Sequence, residues 1–479
     1  MLGKFSSYAF AVYMTLFWGS AVGVLIKSLI AKDLSKGSFG MYTYLVSLIV
    51  VMNSVFSLGL PDVQIKLIAE GKPFAGDFSR FALTIALLML AVSSVIALAT
   101  WGLIPEIYSI TLLALGPVSI MPMANAIFRG ELSGKRESSY RLLRRIFELG
   151  VLVALLFALN LRTDMAPAYA TLASWYLATL YLLYIMRGRT LFLRPRRFLN
   201  VLRQPWLRQS VSLSGFLWVA SIITILGAQA DNLVVGAHLG FVELGEYGAA
   251  LLFNGLIGQV FEALDSIFVS ILPRGKYREI ASYQMFISFN MLVIPLLNLL
   301  MLPFIPALAH LLLDESYTLV VPLFAVASFI FVFKSVELVN QAMFITIDRP
   351  KDKTRATIYT VAIYLPVLWL LVSRLHLLGA AFSFVIFWAL YNAILMVLLK
   401  PHLPEHAQAS ARMTLLAFGS YLASVIAFFI LGVFGGFVAP LLYVGLGQVL
   451  GLWDVRVLAR VVWQLAQQTS RRLQRASTS

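Results

Sequence analysis

Long apolar runs separated by short polar connections dominate this chain. Fourteen of them lie at about 8–30, 39–60, 81–101, 107–128, 142–160, 166–186, 211–237, 244–271, 282–302, 318–346, 356–373, 378–399, 413–432 and 436–453. A helix of ~20 apolar residues spans the ~30 Å hydrocarbon core, and lipid accepts only structures that satisfy their own backbone polar groups. The pattern therefore predicts an all-α polytopic membrane protein with about 14 transmembrane helices. Gly432, Gly435 and Gly436 nearly fuse the last two runs into one turn. The first run is expected to stay as a span rather than be cleaved as a signal peptide, because it is the counterpart of the seventh.

That correspondence is part of an internal repeat. Phe39-Gly40-Met41-Tyr42 opens one apolar helix and Leu244-Gly245-Glu246-Tyr247 opens another, with the glycines 205 residues apart. Each helix leads to a Gly- and Lys-bearing loop, Glu70-Gly71-Lys72 and Arg274-Gly275-Lys276, and Arg162/Arg374 and Trp175/Trp388 repeat further on. Six spans separate equivalent helices. Six is even, so both copies enter the membrane in the same direction, as parallel repeats. The expected organisation is an N-lobe at 1–200 (spans 1–6 and a basic linker), a C-lobe at 201–405 (spans 7–12), two appended helices at 406–453, and a basic amphipathic tail at 454–479 suited to an anionic leaflet.

Composition agrees: 60% of the 479 residues are hydrophobic, 12% are charged, and mean hydropathy is +0.87. The absence of cysteine excludes disulfides, thiolate metal sites and a cysteine nucleophile. A net charge of +15 raises nucleic acid as a partner, but no basic stretch lies in a sizeable soluble domain, so nucleic-acid binding is not expected. The charge has another explanation. On one side of the predicted topology lie 31 of the 37 Lys and Arg residues, including six at 129–145 and seven at 187–208; Lys32, Lys36, Arg162 and Arg374 lie on the other. Positive residues stay inside, which places both termini in the cytoplasm and the chain in the cell (inner or plasma) membrane.

Charged and amide side chains within spans are functional candidates, since hydrocarbon penalises them. Lys27, Asn53, Asp231, Gln259, Lys334 and Asn340 are candidates for substrate binding or gating, and Glu262, Asp265 and Glu337 for ion coupling. Glu262 and Asp265 are one turn apart and of like sign, so the pair favours a shared proton or cation. Lys334 and Glu337 are also one turn apart and are suited to neutralise each other. Glu148 lies within a turn of Arg144 and Arg145 and is expected to form a structural ion pair. Lys27 and Asp231 precede Gly40 and Gly245 by 13 and 14 residues, which suggests a Lys27–Asp231 latch that closes the outer side.

A first span ending in a polar turn, then Phe39-Gly40-x-Tyr42, Ser57-Leu58-Gly59-Leu60-Pro61 and Ile68-Ala69-Glu70, resembles the Wzx-type polysaccharide flippases of the multidrug/oligosaccharidyl-lipid/polysaccharide exporter superfamily. Ala230-Asp231-Asn232-Leu233-Val234-Val235-Gly236, Leu239-Gly240 and Gly245-Glu246-Tyr247 are similar to that family's seventh span. The resemblance covers roughly 8–400. It implies two six-helix lobes in a V that alternate around a cavity, and it implies flipping of a polyprenyl phosphate- or pyrophosphate-linked oligosaccharide to the outer leaflet for cell-surface polysaccharide synthesis. The implied partners are that lipid-linked oligosaccharide, a coupling proton or sodium ion, the bilayer, and polysaccharide polymerase or export machinery. Alternatives are a drug/cation antiporter or a lipid II flippase of the same superfamily, and a membrane polysaccharide polymerase or ligase. The enzyme reading is the weakest. The longest outer connection, about 303–317, offers only His310, Asp314 and Glu315, and no HExxH, GxSxG, Walker A or DxD signature occurs. His402 and His406 flank Pro404 without a carboxylate cluster, so neither metal nor cofactor is expected.

Overall fold

The computed structural model describes residues 2–131, 133–187, 193, 195–271, 280–347 and 349–453. In order these form α1 (Leu2–Asp33), α2 (Lys36–Phe56), α3 (Leu60–Ala69), α4 (Ala75–Ala99), α5 (Glu106–Gly130), α6 (Gly134–Val153), α7 (Ala166–Ile185), α8 (Pro195–Leu202) and α9 (Pro205–His238). They continue as α10 (Phe241–Ile271), α11 (Ile280–Met301), α12 (Ile305–Leu312), α13 (Val320–Ala327), α14 (Ile330–Thr346), α15 (Pro350–Leu399), α16 (Pro404–Leu431) and α17 (Gly435–Val449). No strand occurs among the described residues. Eight of the described helical segments have the length and apolarity to cross a membrane. α1, α9 and α10, at 32, 34 and 31 residues, also exceed the crossing length. The chain is a multi-pass all-α membrane protein.

Each predicted run lies on helix, and the departures have local causes. The 318–346 run breaks at Ser328–Phe329, where Phe329 N–H donates to the Val326 carbonyl and Phe331 N–H to that of Ser328, the tighter three-residue pattern. The Ser328 hydroxyl accepts from Tyr421 within the same unit. α15 holds two spans joined at His376, whose backbone is left-handed (φ 52°). Gly379 allows the following turn to fold back on the Leu371 carbonyl, a place where a methyl group would collide. α17 has only 15 residues, about 22 Å at 1.5 Å per residue, which is short of the hydrocarbon thickness. Short helices α3 and α12 replace expected loops, and α3 starts after left-handed Gly59 (φ 65°) with Pro61 in its first turn. The tail 454–479, linker residues 188–192 and 194, and the Arg274-Gly275-Lys276 loop lie outside the described residues.

Packing groups the chain into two compact units whose boundary is not that of the repeat. One comprises Met1–Leu252, Ala309–Val320 and Val361–Ser383; the other Phe253–Leu308, Val321–Thr360 and Phe384–Ser479. The first has a core of Phe78, Phe81, Met121, Phe128 and Leu182 from α4, α5 and α7. The second is built on Tyr283, Val336, Met343, Leu395 and Tyr443. Large apolar side chains such as Val95, Leu98, Phe429 and Ile430 point outward, as lipid contact requires.

Candidate functional site

Within the first unit the two repeated motifs pack directly on each other. A methyl at Gly40 would overlap the Phe241 carbonyl, and one at Gly245 would overlap the Lys36 carbonyl. Each glycine thus receives the backbone four residues before its counterpart. Only a missing Cβ permits this approach. The Tyr44 and Phe241 rings meet edge-on at 5.5 Å beside it, and Lys36 forms an ion pair with the buried Glu246. Glu246 also accepts from the Leu319 N–H (2.5 Å). The start of α2 is closed by Ser35, which accepts from the Ser38 N–H, while both hydroxyls donate to Asp164. A carboxylate there suits the positive end of the helix.

Two residues after each glycine stands a tyrosine that holds a buried acid. Tyr42 donates to Glu148 Oε1 (3.0 Å) and Tyr247 to Asp231 Oδ2 (2.7 Å). The surroundings then differ. Glu148, 1% exposed, pairs with Arg144 (3.3 Å) and Arg145 (2.9 Å) and accepts from Thr171 (3.0 Å). Arg144 lies over the Trp175 ring at 4.5 Å, a cation–π contact. Lys27 on α1 lies within electrostatic range of Arg145 and Glu148. Two arginines therefore share one carboxylate. Asp231 is 2% exposed, and among the described residues it has no ion pair and its Oδ1 has no hydrogen-bond partner.

These positions revise the sequence reading. The expected Glu148 ion pair is present, but Arg144 and Arg145 belong to α6 rather than to a loop. Among the described residues Lys27 and Asp231 form no ion pair; Asp231 accepts from Tyr247 instead. Asn53 is on α2 with its Oδ1 buried and unpartnered. Asn340 is placed differently from a cargo-facing group. Its oxygen accepts from Tyr283, and its amino group donates to Asn392 (3.1 Å) and Ser410 (3.2 Å), so its capacity is used in joining helices of the second unit. Lys334 lies 4.3 Å from the Trp388 ring centroid, and Glu337 is buried on the same helix. The side chains of Gln259, Glu262 and Asp265 lie outside the described residues. The Tyr42 and Tyr247 hydroxyls were missed as acid-holding groups, although their place in the repeated motif marked them. Among the described residues no cluster suits a metal ion.

No family description and no curated protein matches the sequence. Solved structures do match. The lipid II flippase MurJ in an inward closed conformation shares 11% identity over 90% of this chain and 97% of its own, with a TM-score of 0.66. An inward-facing multidrug resistance MATE-family transporter of the MOP superfamily shares 16% over 84% and 94%, with a TM-score of 0.60. A MOP-superfamily transporter from Pyrococcus furiosus, whose reversed pocket polarity suggested a different function for it, shares 16% over 84% and 96%, with a TM-score of 0.59. The chain has the fold of MOP-superfamily membrane transporters.

Proposed function

We propose that this protein is a transporter that moves a phosphate-bearing, polyprenyl-linked oligosaccharide from the cytoplasmic to the outer leaflet of the cell membrane, with both termini cytoplasmic. The supporting observation is the pair Arg144 and Arg145 on the buried acid Glu148, with Lys27 within electrostatic range. Such an excess of positive charge within a membrane-embedded unit suits a phosphate or pyrophosphate and repels a cationic drug.

Asp231 is the coupling group in this reading. An isolated carboxylate is costly to bury, so a proton or sodium ion would occupy Oδ1 during part of the cycle. That assignment sits beside the earlier candidates Glu262, Asp265 and Glu337. Lipid II is the second reading of the cargo, favoured by the MurJ fold match over 90% of the chain; its pyrophosphate suits the same cluster.

Reconstitution decides between them. Vesicles containing the purified protein should expose a labelled polyprenyl pyrophosphate oligosaccharide to an external probe faster than empty vesicles. Lipid II exposed in preference would move the assignment to the second reading. Ethidium efflux without movement of either lipid would overturn both.

A further inference from the structure

A cavity of about 480 Å³ lies wholly inside the second unit, where α11 and α16 begin and α17 ends. We propose that it binds the headgroup of a zwitterionic phospholipid, a phosphate joined to a primary ammonium. The proposal does not depend on the cargo assignment, since no residue is shared with the Lys27 cluster.

The charges in its wall carry the argument. Glu405 and Arg412 both line the cavity and stand seven residues apart on α16, two turns along one helix face, or about 10 Å. Both are exposed, and among the described residues no ion pair within 4.0 Å involves either one. Their spacing along the helix holds the two opposite charges apart. Gln284 and Gln408 add amides to the same wall. Met413, Leu416 and Leu450 supply its apolar side. The Ser288 hydroxyl donates to the Leu452 carbonyl (2.6 Å) and ties the chain leaving α17 against α11. A polar recess with one apolar wall, at the ends of membrane helices, lies where lipid headgroups lie.

Chemistry selects among the headgroups. Arg412 presents the planar fork that suits a phosphate. Glu405 accepts hydrogen bonds from an ammonium that carries three donors. A trimethylated ammonium has none to offer. A glycerol headgroup would offer Glu405 only neutral hydroxyls, and the carboxylate charge would lack a cation. Phosphatidylethanolamine meets both ends, and the amides of Gln284 and Gln408 remain for its phosphate and ester oxygens.

The test is native mass spectrometry of the full-length protein in detergent, titrated separately with phosphatidylethanolamine, phosphatidylcholine and phosphatidylglycerol. Phosphatidylethanolamine should be retained about tenfold or more above the other two, the scale of one hydrogen bond to a charged group. Glu405→Gln should lower it to the phosphatidylcholine level, and Arg412→Gln should lower retention of all three. Glu405→Lys should turn the preference to phosphatidylglycerol. Both side chains are exposed, so the variants should unfold at the wild-type temperature, which a thermal scan verifies. Equal retention of the three lipids by the wild type, or a preference unchanged in both glutamine variants, would overturn the proposal.

Discussion

Tyr42 and Tyr247 stand at the same place in two copies of one motif, and each donates its hydroxyl to a buried carboxylate. Glu148 pairs with Arg144 and Arg145, with Lys27 within electrostatic range; among the described residues no cation pairs with Asp231. The difference lies in where the acids come from. Glu148 is on α6, whose polar first half carries arginines one turn away, whereas Asp231 is on α9, sixteen residues before its own tyrosine in an apolar stretch. One acid is permanently compensated, with positive charge left over. In the proposed function the first acid belongs to a place for an anion and the second to a place for a small cation.

Substitutions can break the comparison. The largest effect is expected from Glu148→Leu, which strands buried cations and should cost about 3–5 kcal/mol of stability in a thermal or denaturant scan. A loss under about 1 kcal/mol would mean that water compensates the cations and that Glu148 is not their anchor. Asp231→Ala should cost less, about 1–3 kcal/mol, by leaving the Tyr247 hydroxyl without its acceptor. Asp231→Asn keeps an acceptor there and should stay within about 0.5 kcal/mol of wild type. The same variant should make transport in vesicles insensitive to an imposed proton or sodium gradient; undiminished gradient dependence would remove Asp231 from coupling.

Finer changes sharpen it. Lys27→Gln should leave the unfolding temperature nearly unchanged while weakening transport of the pyrophosphate lipid about tenfold, the equivalent of about 1.4 kcal/mol. Stability lost without any change in transport would make Lys27 a structural member only. Tyr42→Phe should have the smallest effect, about 0.5–1.5 kcal/mol, because Glu148 keeps Thr171 and Arg145. In Tyr247→Phe the acid loses its one described partner, so the ion dependence of transport should shift more than stability does.

Much of this was legible in advance and some was not, for identifiable reasons. Apolar run length located the helices, since hydrocarbon leaves the backbone little choice. The repeated Gly-x-Tyr phrase marked the positions that prove to touch. Periodicity reports which residues share a helix face and is silent on which neighbour that face meets. Lys27 and Asp231 were therefore matched by their register in the repeat, while packing gave Asp231 to Tyr247. Arg144 and Arg145 read as loop residues because arginine is rare in spans, yet a carboxylate, a ring and two hydroxyl-bearing side chains make an interior place for them. Asn340 looked like a cargo ligand because a lone amide in a span must be satisfied somehow; three protein partners satisfy it.

The seam between Gly40 and Gly245 is made of main chain on both sides, and main chain is common to every amino acid. Fit at that seam is consequently blind to what the surrounding positions become. Neighbouring acids and bases can differ between the two copies of the motif without either copy ceasing to match the other. A seam of interlocking side chains would have tied the two halves to coordinated change. Two hydrogens in place of two methyl groups leave them free to specialise.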